Sequence, residues 1–232
     1  MKQLRAIGHY FTIGEWLLWG ISAAVIVVSF CLFDRESYLT LAASLIGVTS
    51  LIFAAKGNPI SQVLMVLFSI LYGIISYTFT YYGEMITYLG MTMPMAVLAL
   101  ISWLKNPFEG NRAEVKVNAI SKKEVAFMWA LAVVVTVAFY FILRAFNTAN
   151  LLPSTLSVST SFAAVYLTFR RSPYYALAYA ANDVVLIVLW IMAALTEVRY
   201  LSVVVCFVAF LVNDLYGFIS WRRMGKRQGL GR

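Results

Sequence analysis

Apolar residues along the chain gather into eight stretches, at 16–33, 38–55, 60–82, 85–104, 125–146, 152–169, 173–195 and 199–221. About 20 residues of helix cross a bilayer's hydrocarbon core, and each stretch is close to that length. The breaks between them are short and polar: Asp34-Arg35-Glu36, Lys56-Gly57-Asn58-Pro59, Gly83-Glu84, Arg170-Arg171-Ser172-Pro173, and Glu197 with Arg199. Backbone in lipid must satisfy its own hydrogen bonds, so each stretch predicts a transmembrane helix. Residues 1–15 carry no cleavage-site pattern, and the first stretch predicts a retained helix, not a signal peptide. The expected fold class is an all-α integral membrane protein of eight transmembrane helices.

Basic residues test that count, because cytoplasmic loops carry an excess of Lys and Arg. With the N-terminus inside, the cytoplasmic stretches hold Lys2, Arg5, Lys56, Lys105, Arg112, Lys116, Lys122, Lys123, Arg170, Arg171, Arg222, Arg223, Lys226, Arg227 and Arg232. The other side holds Arg35, Arg144 and Arg199. Eight spans with both termini in the cytoplasm follow, and the expected location is the cell membrane. The tail's Gly225, Gly229 and Gly231 form no phosphate loop. They belong to a basic tail suited to anionic lipid.

The chain repeats itself. Each half has a break ending in proline, Lys56-Gly57-Asn58-Pro59 or Arg170-Arg171-Ser172-Pro173, and closes on Ile101-Ser102-Trp103-Leu104-Lys105 or Ile219-Ser220-Trp221-Arg222. From proline to tryptophan the separations are 44 and 48 residues. Three spans lie in each half and one between them, so both halves run the same way across the membrane, as a parallel repeat. The expected organisation is 1–37 as an extra N-terminal helix, 38–105 as the first triplet and 106–150 as a loop with the linker helix. Residues 151–223 form the second triplet and 224–232 the tail.

Composition narrows the function. Of 232 residues, 62% are hydrophobic and only 12% are charged, about half the usual charged share. That excludes a soluble enzyme, a disordered chain and a nucleic-acid binder, despite a net charge of +8. Cys31 and Cys206 lie in apolar runs and read as small core residues. The lone His9 leaves no histidine metal cluster. No metal, cofactor or catalytic residue is expected.

Ionisable groups within lipid are costly and face a cavity or the bundle interior. Asp183 lies mid-way along 173–195, with Asn182 beside it and Tyr179 four residues earlier on the same helical face. In the last span Asn213 and Tyr216 are three apart, Trp221 follows, and Asp214 falls nearer the cytoplasmic end. Glu84 and Tyr88 are four apart at the outer end of 85–104. Asp183, Asn213, Tyr179, Tyr216, Asn182, Trp221, Tyr88 and Glu84 are the candidate substrate-binding residues. Trp221 and Tyr82 read equally well as interface anchors, and Asn213 as a bond to a neighbouring helix. No Lys or Arg lies within a span away from its ends. A carboxylate among aromatic rings suits a neutral or cationic flat ring. Asn suits amides and ribose hydroxyls. A phosphate finds no partner here.

Two stretches carry a resemblance: Ser172-Pro173-Tyr174-Tyr175-Ala176-Leu177-Ala178-Tyr179-Ala180-Ala181-Asn182-Asp183 and Asn213-Asp214-Leu215-Tyr216-Gly217-Phe218-Ile219-Ser220-Trp221. The second fits the Asn-x-x-Tyr-x-x-x-x-Trp pattern of the PnuC-type vitamin transporters, and the similarity extends over about 38–223. Where many members carry a Trp-x-x-Trp pair before the Asn or Asp, this chain has Ala176 and Tyr179. The resemblance implies a fold related to that of the SWEET sugar transporters and facilitated diffusion of nicotinamide riboside. It also implies trapping of the substrate by phosphorylation in the cell and a homo-oligomer, on that likeness a trimer. Thiamine or another ring vitamin is the alternative substrate.

Two other classes are weighed beside it. An intramembrane enzyme would use Asp183 and Asp214 as an acid–base pair. Their expected difference in depth argues against a shared proton, and no nucleophile accompanies them. A binding subunit of a larger pump is the other. The partners expected are thus a small-molecule vitamin and the lipid bilayer, without nucleic acid.

Overall fold

The structure is a computed structural model and describes residues 10–78, 81–148 and 150–230. Lys2, Arg5, His9 and Arg232 lie outside the described residues. Among the described residues eight helices are long and apolar enough to cross a membrane. They are α1 (Ile13–Phe33), α2 (Tyr38–Ala55), α3 (Ile60–Thr78), α4 (Tyr82–Lys105), α5 (Lys122–Ala145), α6 (Leu151–Phe169), α7 (Tyr175–Ala194) and α8 (Val198–Arg227). Two boundaries depart from the apolar pattern. Gly83 and Glu84 sit in the first turn of α4 and not in a break. The last helix continues six residues past Trp221, because Arg222, Arg223, Lys226 and Arg227 keep a helical backbone while their heads reach water.

The helix ends follow from local chemistry. α1 starts in a capping box: Glu15 N–H donates to Thr12 Oγ1 (3.2 Å) and Thr12 N–H to Glu15 Oε2 (2.7 Å). α2 and α6 end in the same turn. Gly57 (φ 67°) and Arg171 (φ 58°) take the left-handed conformation, and the next residue's N–H closes on Phe53 O (3.1 Å) or Leu167 O (3.0 Å). Asn58 Oδ1 then accepts from Ile60 N–H (3.0 Å) to start α3. Only glycine adopts that geometry without strain, so Arg171 is held there by its surroundings.

Six helices close into a ring. Within each half, neighbours in sequence pack: α2 on α3 and α3 on α4, α6 on α7 and α7 on α8. Between halves, the first helix of one packs on the last of the other, α2 on α8 and α6 on α4. α1 lies outside against α2 and α8, and α5 outside against α6.

The Ile-Ser-Trp motifs explain the closure. Trp103 Nε1–H donates to Thr168 O (2.9 Å) and Ser102 Oγ to Phe169 O (3.0 Å). Trp221 Nε1–H donates to Ala54 O (2.7 Å) and Ser220 Oγ to Ala55 O (2.7 Å). Each motif thus ties the end of its own half to the end of the other half's first helix. The two indoles meet at 5.4 Å between centroids. The C-terminal ends of α2, α4, α6 and α8 therefore share one face, the basic one, and these bonds are consistent with the parallel plan.

A short hairpin on that face lay beyond the sequence pattern. Pro107–Phe108 (β1) pairs antiparallel with Asn111–Val115 (β2) around Glu109 and Gly110, both at positive φ. The strand continues as a strap over both halves: Val115 N–H donates to Gly57 O (2.9 Å) and Asn118 N–H to Arg171 O (2.9 Å). At its edge the Tyr10 hydroxyl donates to Ala113 O (3.2 Å) and accepts from Asn58 Nδ2 (3.0 Å). Burial pushes that phenol above its ordinary value.

Candidate functional site

Inside the ring the buried apolar side chains form two clusters, one toward each membrane face. A small cavity lies between them. Leu51, Met65, Phe68, Tyr88 and Thr92 line it from the first half, and Ser161, Tyr179, Asn182, Asp183, Phe207, Phe210 and Asp214 from the second. Its carboxyl and amide groups all come from the second half, and the first half adds the hydroxyls of Tyr88 and Thr92. The volume of about 20 Å³ holds about one water, far below what a nucleoside needs. Binding a vitamin here requires the rings to move apart.

Each polar group has a local cause. Thr160 Oγ1 (2.8 Å) and Ser161 Oγ (2.9 Å) on α6 both donate to Asn182 Oδ1, which turns the amide's N–H side away from α6. Asp183 and Asp214 are each 3% exposed, and their carboxyl groups lie within hydrogen-bonding reach of one another. Among the described residues no donor bonds Asp183 Oδ2. This corrects the expectation that Asp214 lies nearer the cytoplasm. Tyr175 touches Trp221 at 4.8 Å, and the two helices run in opposite directions. At 1.5 Å per residue, Asp183 stands about 12 Å above Tyr175 and Asp214 about 10.5 Å above Trp221. The carboxyls are nearly level because each stands about two helical turns from the Tyr175–Trp221 contact.

Tyr88 and Thr92 reach the cavity from a π-helical turn, Tyr88–Thr92, with Pro94 just beyond it. The wider turn places Met93 N–H on Tyr88 O. Such turns re-aim side chains within a helix, and no sequence period announces one.

Four of the eight candidates, Asp183, Asn182, Tyr179 and Tyr88, line the cavity. The other four lie outside its lining. Asn213 Nδ2 donates to Ser22 Oγ (2.9 Å) and Ala209 O (2.8 Å), so its amide fastens α8 to α1. The Tyr216 hydroxyl donates to Glu15 Oε1 (2.9 Å), and Lys56 Nζ pairs with Glu15 Oε2 (3.3 Å). Trp221 is fully buried in the clamp with Trp103. Glu84 accepts from Ser157 Oγ (3.0 Å) near the far face, and its Oε2 has no donor. Helical spacing puts Asn213 next to Asp214 but about 100° around the axis, so only one of them faces the ring's centre. Asp214, Thr92, Ser161, Leu51, Met65, Phe68, Phe207 and Phe210 complete the lining. An Asp in mid-span was the available signal for Asp214.

Aromatic side chains close the ring above and below. On the basic side the two indoles and Tyr175 fill it. On the far side Trp190 Nε1–H donates to the Tyr72 hydroxyl (2.7 Å), with Tyr81 at 4.9 Å and Tyr200 at 5.6 Å from the same indole. The polar chamber is thus closed by aromatic side chains toward both membrane faces.

Residues 37–223 match the family described as nicotinamide mononucleotide transporter. The chain belongs to this family. It is a multi-pass membrane transporter. The chain is 31% identical to the nicotinamide riboside transporter PnuC of Neisseria mucosa over 91% of its own length and 81% of the relative's. It is 25% identical to the protein of that name from Haemophilus influenzae, over 83% and 82% of the two chains. A solved structure titled as the vitamin B3 transporter PnuC superposes with a TM-score of 0.83 at 25% identity, covering 94% of each chain.

One close approach bears on how this transporter moves. A Cβ built on Gly47 would stand 2.3 Å from Phe210 Cζ, at the cavity wall. Gly47→Ala is therefore expected to push the Phe210 ring into the chamber. Overpacking of this kind costs about 1–3 kcal/mol. Tracer uptake should fall at least fivefold, and Phe210→Leu in the same chain should restore it. Wild-type uptake by Gly47→Ala alone would show that α2 and α8 separate freely there.

Proposed function

We propose that the protein carries nicotinamide riboside into the cell by alternating access. The observation that carries this reading is the cavity lining: two carboxyl groups, an amide with its acceptor already engaged, and rings from both halves. Nicotinamide riboside is a pyridinium with a fixed positive charge, a carboxamide and ribose hydroxyls. The carboxyl pair suits the charge, Asn182 the amide or hydroxyls, and Phe207, Phe210, Tyr88 and Tyr179 the flat ring. Among the described residues no Lys or Arg lines the cavity. A phosphate entering it would lose its hydration against two carboxyls, so the mononucleotide is disfavoured. The names of both relatives agree with this substrate.

The same proposal includes the orientation and the assembly. Lys56, Lys105, Arg170, Arg171, Arg222 and Arg223 share the face of the Ile-Ser-Trp motifs, whereas Arg35, Arg144 and Arg199 lie at the other helix ends. The positive-inside rule makes the first face cytoplasmic, with both termini on that side. The protein works as a homo-oligomer, a trimer on the family likeness, in the cell membrane. The loops at 106–121 and the tail at 228–230 are expected inside and the 34–37 turn outside.

Uptake of labelled nicotinamide riboside into vesicles containing only the purified protein tests the function. Saturable uptake is expected, inhibited by unlabelled nicotinamide riboside and at least tenfold less by its mononucleotide or by thiamine. Equal inhibition by the mononucleotide would remove the charge argument, and stronger inhibition by thiamine would make thiamine the substrate.

A further inference from the structure

We propose that an anionic phospholipid of the leaflet at the basic face docks on the second half of the fold. Its phosphate sits between Arg222 and Lys226, and one acyl chain lies in a groove between α5 and α7. The inference rests on the membrane fold and not on which vitamin is carried.

A cavity of about 440 Å³ opens on the basic face. Its walls are Asn118 of the strap, Ser172 and Tyr174 of the turn between α6 and α7, and Arg222 and Lys226 of α8. Among the described residues no Asp or Glu lines it. Arg222 and Lys226 are four residues apart and share one face of α8. Arg222 Nη1 donates to the Tyr174 hydroxyl (3.1 Å), and the guanidinium lies 6.0 Å from the Tyr174 ring and 5.9 Å from the Phe218 ring. These contacts hold its planar fork at the cavity wall, and its other N–H donors match the oxygens of a phosphate. Among the described residues neither Arg222 nor Lys226 pairs with a carboxylate.

Tyr174 also lines a second hollow, of about 250 Å³. Trp129 of α5, Ala163 and Leu167 of α6, and Leu177 and Ala181 of α7 form its apolar walls. α5 packs on α6, so α6 is the floor of a groove between α5 and α7. Tyr174, Leu177, Ala178 and Ala181 fall at the spacing of one helix face, and that face is open to lipid: Tyr174 is 46% and Leu177 45% exposed. Seven residues of helix lead from Tyr174 to Ala181, about 10 Å. One leaflet's hydrocarbon is about 15 Å thick.

Positive groups at the membrane face and an apolar groove leading inward, joined at Tyr174, follow the order of a phospholipid's own parts. The headgroup is anionic, because an ammonium would meet Arg222 and Lys226 with no acid beside it. A second copy of the chain, running the same way across the membrane, would bring a face of the same basic sign to these two residues. Thr160 lies in the groove and donates through Oγ1 to Asn182 Oδ1 (2.8 Å). The acyl chain therefore packs on the residue whose hydroxyl orients an amide of the mid-membrane chamber.

Tryptophan fluorescence of the full-length protein in a neutral detergent tests this, with phosphatidylglycerol brominated on its chains as probe. Quenching should saturate, at about tenfold lower concentration than with phosphatidylcholine brominated alike. Trp129→Phe should remove the saturable part. A basic side chain at an anionic lipid contributes about a factor of five, so Arg222→Gln with Lys226→Gln should raise the half-quenching concentration about 25-fold. Ala181→Phe fills the groove, keeps both charges and should raise it at least about threefold. All three residues are exposed. These variants should therefore keep the thermal midpoint of the lipid-free protein within about 2 °C. Equal quenching by phosphatidylcholine overturns the proposal, as does a saturable signal that survives Trp129→Phe. Displacement of the lipid by glycerol 3-phosphate at equal concentration overturns it in favour of a site for free phosphate. A Trp129 that neither lipid reaches overturns it in favour of a second copy on the groove.

Discussion

Trp221→Ala should lower the thermal midpoint of the purified protein by about 6–20 °C. The indole is fully buried. Truncating a buried tryptophan to alanine costs about 3–5 kcal/mol, and about 1 kcal/mol shifts the midpoint of a chain this size by about 2–4 °C. Three contacts go at once: the bond to Ala54 O (2.7 Å), the stack on Trp103 (5.4 Å) and the edge contact with Tyr175 (4.8 Å). Trp221→Phe keeps most of the apolar contact and should cost only about 1–2 kcal/mol for the lost N–H bond. Trp103→Ala, whose indole bonds Thr168 O, should match Trp221→Ala, and the double variant should cost less than the two together because the rings touch. A midpoint shift below about 2 °C for Trp221→Ala would mean that the seam between α2 and α8 is held elsewhere, for instance by Ser220 on Ala55 O.

The same motif shows why so much of the fold was legible in the sequence. Spans can be counted because lipid demands uninterrupted apolar helices, and their common direction follows from an odd helix between the triplets. The repeated Ile-Ser-Trp was visible as a pattern, but its work was not. Nothing local says that Trp103 will bond Thr168, 65 residues away, or Trp221 Ala54, 167 away. Trp221 therefore read as a binding or interface residue and is a clamp. The Glu109–Gly110 hairpin and the strap from Val115 to Asn118 escaped for a similar reason. They are polar, and their order comes from carbonyls exposed by two distant turns at Gly57 and Arg171.

The site was half legible. Asp183 stands out because a carboxylate in mid-span needs a reason, and Asn182, Tyr179 and Tyr88 fall around the same chamber. The sequence puts Asp214 nearer the membrane surface because Trp221 looks like a helix end, whereas the helix continues to Arg227. Asn213, Tyr216 and Glu84 lie outside the cavity lining. Each is polar and buried or half-buried, as a lining residue would be, yet each is engaged by a neighbouring helix: Ser22 for Asn213, Glu15 for Tyr216, Ser157 for Glu84. Polar groups in lipid bind substrate or bind one another, and sequence spacing does not distinguish the two. The closed plugs above and below the chamber depend on contacts between distant helices, such as Tyr72 with Trp190.

That distinction sets the second large effect. Asp183→Asn should weaken binding of nicotinamide riboside by roughly 30-fold, whereas Asn213→Ala should change it less than threefold. Asparagine keeps the volume and hydrogen-bonding shape of Asp183 and removes only its charge. A hydrogen bond or contact with a charged group, sheltered from water, contributes about 1.5–3 kcal/mol, and each 1.4 kcal/mol is a factor of ten. Asn213 donates to Ser22 and to a backbone carbonyl on the side away from the chamber, so its loss should appear as reduced stability, about 1 kcal/mol, with the site intact. Binding measured by calorimetry on both variants at one pH, beside their thermal midpoints, separates the roles. Equal losses of affinity would place Asn213 in the pocket of the ligand-bound state. An unchanged Asp183→Asn would leave the rings and Asn182 to recognise the substrate without help from a negative charge, and thiamine and neutral nucleosides should then compete as well as the pyridinium does.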